Sequence, residues 1–186
     1  MPAESKKESK KQAPKSKKQI AILVEDMYQV LEVWYPLLRL QEAGIAVKTV
    51  GTGKKDTYGS KEGYPCKVDL SIDDVKPADF DGVIIPGGFA PDFLRRYPSV
   101  VNFIKRLYVD GRAVAAICHG GWLLVSAGIA KGHHVTCFFA IKDDLIAAGG
   151  KYVDRDVVVD QNLITSRKPE DLPRFVEEII KFVDKD

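Results

Sequence analysis

The chain has 186 residues, enough for one domain with a sizeable core and too few for two comfortable ones. Its hydrophobic content of 45% is ordinary for a globular protein; no apolar run reaches the ~18 residues of a membrane span and no apolar signal core opens the chain, which argues against a membrane partner. The net charge of +2 divides unevenly, because the first 18 residues hold seven lysines against two glutamates, a net of +5, and leave a mildly acidic remainder of −3.

Residues 1–18 lack aromatic side chains and have too little apolar surface to offset the entropy of ordering, so they read as a flexible, solvated tail. Binding nucleic acid would need stacking aromatics or a folded basic face, so nucleic acid is not an expected partner. From residue 19 the pattern becomes that of a folded domain. The run QIAILV over 19–24 predicts a strand buried on both faces. A helix follows over 30–44, with Val30, Val33, Trp34 and Leu37 on one stripe, Gly44 as its stop, and Pro36 placed in the first turn or at a kink. A second strand is expected over 46–50. Three glycines mark 51–64 as a loop or small hairpin, and 68–72 is extended.

The run FDGVIIPGG gives a third buried strand that ends in Pro86, Gly87 and Gly88. Ser99 is the expected cap of a helix over 100–110, closed by Gly111. Then come a strand over 112–117 and a helix over 120–127, closed by Gly128. A strand over 135–137, a short helix over 141–148, a hairpin turning near Gln161 and Asn162, and a helix over 170–183 complete the domain, 19–186. Strands and helices alternate, so right-handed crossovers should build a mainly parallel sheet covered on both faces.

In such a sheet ligands bind beyond the carboxyl ends of the strands. Two glycine-rich turns lie there, PGG at 86–88 and CHGG at 118–121. The order strand, Cys118, His119, Gly120, helix is that of a nucleophile elbow, whose sharp turn needs small neighbours; Ala115, Ala116, Gly120 and Gly121 supply them. A sulfur at that place faces a helix N-terminus, which predicts a thiolate. The backbone N–H groups of Gly88 and His119 could converge on an oxyanion formed by attack on a carbonyl. Cys66 and Cys137 read as small buried hydrophobes. Three cysteines without a C-x-x-C pair make neither a disulfide framework nor a zinc ribbon, and fit a reducing, cytoplasmic setting. His133 and His134 have no third ligand at useful spacing, so they read as a loop and no metal is expected. The chain has no phosphate-binding glycine loop, so no cofactor is expected.

The segments FDGVIIPGGFAPDFLR, AAICHGG, IKDDLIAAGG and VVVDQNLITSRKPEDL resemble the PfpI-type intracellular peptidases, a branch of the superfamily of the parkinsonism-associated deglycase with a class I glutamine-amidotransferase-like fold. The resemblance covers nearly everything but the tail. It implies an α/β, flavodoxin-like three-layer sandwich, Cys118 as nucleophile, and a homodimer or higher homo-oligomer. It also places a carboxylic acid beside the cysteine, four residues before the helix proline, which is Glu32 here. His119 would be paired with an acid from a neighbouring subunit, Asp92 in this chain, one methylene shorter than the usual glutamate. Two departures make the pocket less polar: Tyr28, Gln29 and Val30 stand where many relatives carry F-E-D, and Phe138 stands where some carry tyrosine.

The expected activity is therefore attack of Cys118 on carbonyl carbon. Three versions are open: glyoxalase or deglycase detoxification of reactive aldehydes such as methylglyoxal in a stress response, with small carbonyl compounds or modified proteins as partners; intracellular cysteine peptidase activity; and redox sensing or chaperone-like protection through oxidation of Cys118 without turnover. A small pocket capped by Phe89 and Phe138 favours the first.

Overall fold

A computed structural model describes residues 18–185; the lysine-rich tail, apart from Lys18, lies outside the described residues. The elements in chain order are β1 (Gln19–Leu23), α1 (Val30–Glu42), β2 (Ala46–Gly51), β3 (Thr57–Gly59), β4 (Pro65–Lys67), β5 (Leu70–Ser71), β6 (Gly82–Ile85), α2 (Ala90–Leu94), α3 (Pro98–Val109), β7 (Ala113–Ile117), α4 (Gly121–Ser126), β8 (His134–Val135), α5 (Lys142–Ala147), β9 (Lys151–Tyr152), β10 (Val157–Asp160), β11 (Leu163–Ser166) and α6 (Leu172–Asp184).

Seven strands form one sheet in the order β10-β11-β7-β6-β1-β2-β5, parallel throughout except for the β10–β11 hairpin. In its middle, Ile22 of β1 pairs with Ile84 of β6, and Ile84 with Ala115 of β7. These three strands are almost wholly buried because helices cover both faces: α1 and α6 pack on one side, α3 and α4 on the other. Their apolar residues join one continuous core, while Val135, Cys137, Ile141 and Leu145 form a small satellite core. The expected α/β sandwich with a mostly parallel sheet is the observed fold.

Several local expectations are corrected. Of the two places open to Pro36, the first turn is ruled out: it sits inside α1, where it has no N–H to offer the Glu32 carbonyl. Helix α3 opens at Pro98, ahead of Ser99, with Tyr97 at the cap making no side-chain bond; a proline at the first helical position lacks only an N–H that would be unpaired there anyway. The strand expected over 135–137 is the two-residue β8, which pairs with β9 outside the main sheet and leaves Cys137 beyond it. Over 68–72 only Leu70 and Ser71 are strand. The five-residue α2, not anticipated, follows the PGG turn. Of the two histidines read as a loop, His133 is in one and His134 opens β8; His133 is nonetheless buried, its Nε2 lies 2.7 Å from the Tyr108 hydroxyl, and both histidine rings lie 3.4 Å from the Asp160 carboxylate.

Candidate active site

The carboxyl ends of β1, β6 and β7 meet at one point, and Cys118 stands there. It has φ of 58°, a left-handed conformation that a non-glycine residue adopts only where its surroundings enforce it. The enforcement is visible at Gly120, where a Cβ would fall on the carbonyl oxygen of Ile85, so only glycine lets the turn fold back onto β6. Gly87 is under the same constraint from the other side. A Cβ there would lie 2.7 Å from the Cys118 Cβ and 2.8 Å from Glu32 Oε2. Without one, the Gly87 N–H donates to Glu32 Oε2 at 2.6 Å.

Glu32 projects from the first turn of α1 and is fully buried. Its other oxygen, Oε1, finds no partner of good geometry, and the carboxyl lies against the Cys118 side chain. Burial pushes this carboxyl up to about 7, against the pull of the Gly87 N–H and of Cys118. The Cys118 side chain is itself enclosed, at 8% exposure. Burial, and then the neighbouring Glu32 charge, push its thiol up to about 12, although the N–H groups of His119 and Gly88 both point to the sulfur and favour its anion.

The expectation of a resting thiolate is thereby corrected. Helix α4 has only six residues, and what its terminus offers a charge is outweighed by the water that burial removes. Sulfur and carboxyl instead share a single proton over the range between about 7 and about 12. With that proton on Glu32, the thiolate faces the two N–H groups.

His119 comes closer than sequence adjacency implies: its Nδ1 is 3.3 Å from the Cys118 sulfur. The ring is held between Trp122, edge-on at 5.3 Å between centroids, and Phe138, tilted at 5.0 Å. Burial and the Lys61 charge lower its pKa, so it is neutral at physiological pH. Asp92 lies on α2, where its carboxylate pairs with Arg96 in the turn just beyond that helix; within one chain nothing joins it to His119.

Cys118, Glu32 and His119 line a cavity of about 210 Å³ together with Gln29, Lys61, Gly88, Phe89, Trp122, Phe138 and Pro169, and Asp92 is not among its lining. Gln29 also caps α1, its side chain accepting from the Leu31 N–H. Lys61, Trp122 and Pro169 were not singled out in the sequence. Trp122 could have been, since it stands one turn after Cys118 in the same elbow; Lys61 could not, because only the packing of the β3–β4 hairpin brings it here. Among the described residues no cluster of three His, Cys, Asp or Glu side chains could hold a metal, and no helix is long and apolar enough to cross a membrane.

Residues 18–182 match the DJ-1/PfpI family. An Archaeoglobus fulgidus protein is 46% identical over 164 residues, covering 88% of this chain and 97% of that one. The Pyrococcus furiosus protein named deglycase PfpI is 39% identical over the same length, covering 88% and 98%. Among solved structures, a two-domain Anabaena variabilis protein with a DJ-1/ThiJ/PfpI-like and a ferritin-like domain superposes with a TM-score of 0.88 at 38% identity, covering 90% of this chain and 48% of that chain. With its elbow, its buried carboxyl and this breadth of match, the chain belongs to the DJ-1/PfpI family.

Proposed function

We propose that the chain is a cysteine-dependent enzyme of the glyoxalase or deglycase type, acting on reactive aldehydes such as methylglyoxal. The observation that carries this reading is the meeting of the Cys118 sulfur, the Glu32 carboxyl and the neutral His119 ring in a pocket of about 210 Å³, room for a few heavy atoms and not for an extended peptide. The deglycase name of the Pyrococcus furiosus relative supports the same class of substrate, free or attached to a protein. The three free cysteines are consistent with a reducing setting.

In this reading the Cys118 proton passes to Glu32 as sulfur attacks the aldehyde carbon, forming a C–S bond and an alkoxide that takes a proton to become a hemithioacetal. The Gly88 and His119 N–H groups hold the negative charge as it moves from sulfur to oxygen. His119 Nδ1 then removes the C1 proton and the enediol is reprotonated at C2. C1 is oxidised and C2 reduced within the same molecule, so no external oxidant is needed. Water cleaves the resulting lactoyl thioester to lactate and the free thiol. In an oligomer, Asp92 of a neighbouring subunit would orient His119. Peptide cleavage is disfavoured because its leaving amine needs a proton donor, and a histidine with a lowered pKa is a poor one.

The test is methylglyoxal consumption with lactate as the measured product, in the full chain and in Cys118→Ser and Glu32→Gln. Loss in both variants supports the proposal. No turnover by the unaltered chain, with selective oxidation of Cys118 by peroxide, would replace it with a redox sensor.

A further inference from the structure

The cavity has four apolar walls, Phe89, Trp122, Phe138 and Pro169, and its reacting groups lie together at Cys118. Lys61 is the single cation among the lining residues. Its position is held by the backbone. The Lys61 N–H donates to the Tyr28 carbonyl at 3.0 Å, the Met27 N–H to the Gly59 carbonyl at 2.7 Å, and the Tyr28 hydroxyl to the Tyr64 carbonyl at 2.8 Å. These bonds clamp the β3–β4 hairpin, which is no part of the main sheet, to the loop after β1 that borders the site. The same loop bridges to Gly88, so the lysine and the oxyanion turn share one rigid frame.

The ammonium has little else to do. Its carboxylate partner is its chain neighbour Glu62, 3.6 Å away with both side chains about two-fifths exposed, an ion pair of small consequence. Its charge is instead felt inside the pocket, where it pulls down both Glu32 and His119. A substrate whose carbonyl reaches Cys118 has its far end against an apolar wall, at Gln29 or at Lys61, and of these only Lys61 carries a charge.

We propose that Lys61 makes this site selective for small α-oxoaldehydes that carry a carboxylate at the end remote from the aldehyde, by holding that carboxylate while Cys118 attacks the aldehyde carbon. The proposal rests on Cys118 being the reacting group and deepens the aldehyde reading by naming the substrate class. Without Lys61, an anionic substrate would meet the negative charge of the Cys118–Glu32 pair with nothing to offset it.

Alkylation of Cys118 tests this independently of turnover. Iodoacetate and iodoacetamide react at the same carbon and differ in charge, so the ratio of their rates cancels any change in the ionisation of the sulfur. The ratio, followed on the Cys118 peptide by mass spectrometry, is expected to fall about three- to tenfold in Lys61→Gln, to be restored in Lys61→Arg, and to shrink in 0.5 M salt. Glyoxylate, as a reversible protectant against iodoacetamide, should lose protection by a similar factor in Lys61→Gln. Equal ratios in the unaltered chain and Lys61→Gln would overturn the proposal. Methylglyoxal turnover measured on the same samples keeps the two ideas apart: turnover without charge selectivity sinks this one alone, and charge selectivity without turnover sinks the glyoxalase reading alone.

Discussion

Cys118 and Cys137 look alike by the usual measures of a reactive thiol. Both are buried, and burial pushes both up to about 12. Cys137 closes a satellite core of Val135, Ile141 and Leu145, with no histidine or carboxyl in hydrogen-bonding contact. Cys118 stands on a strained turn, 3.3 Å from an imidazole nitrogen, against a carboxyl, under two N–H groups and beside a cavity. A high thiol pKa therefore does not separate a filler from a candidate nucleophile. The separation lies in whether the proton has somewhere to go and the anion something to face.

The largest expected effect breaks the comparison outright. Cys118→Ala should lower methylglyoxal consumption by about a thousandfold or more, and Cys137→Ala should leave it within about twofold, measured as lactate formed. Comparable losses in the two variants would mean that the surroundings of Cys118 confer nothing.

Next comes Glu32→Gln, which removes the proton's destination and should cost roughly a hundredfold in turnover. It also has a signature in stability. Glu32 binds its proton more tightly folded, at about 7, than unfolded, at 4.5. The folded state is therefore favoured in full below pH 4.5 and loses about 3 kcal/mol as pH rises through 7. Urea titrations should show that decline flattened in Glu32→Gln, whose stability at pH 8 then exceeds that of the unaltered chain. An unchanged slope would show that the carboxyl titrates normally.

A smaller effect is expected from Asp92→Asn. If a neighbouring subunit brings Asp92 to His119, turnover should fall about tenfold with the assembly intact by gel filtration. If Asp92 serves only its Arg96 pair, turnover stays put. Smallest is Phe138→Tyr, where a hydroxyl added beside His119 should raise turnover roughly threefold, about what one new hydrogen bond supplies. No gain would show that the apolar wall is not what limits this pocket.

Much of this arrangement was legible in the sequence, and the reasons are specific. The runs at 19–24 and 112–117 are too apolar and too short for anything but central strands, and glycines at 87, 88, 120 and 121 mark places where backbone must approach backbone. What the sequence hid arises from contacts between distant segments. Helix α2 is a five-residue turn containing proline, without the periodicity that reveals a longer helix. Lys61 reaches the site only because a hairpin outside the main sheet folds over it. The ionisation state of Cys118 is not legible in the sequence, because position at a helix start can be read from spacing, whereas the loss of water around the sulfur depends on every layer packed above it. Its contact with His119 was hidden for the opposite reason, since adjacent residues usually diverge and here Trp122 and Phe138 turn the ring back.

The shared proton between Glu32 and Cys118 is tested most directly by the rate of Cys118 alkylation with uncharged iodoacetamide, followed from pH 5 to 11 in the unaltered chain and in Glu32→Gln. A shared proton gives a rise with its inflection near 7 in the unaltered chain, as the pair loses its first proton, and loss of that inflection in Glu32→Gln. A rate that climbs only above pH 10, unaltered by the substitution, would contradict it.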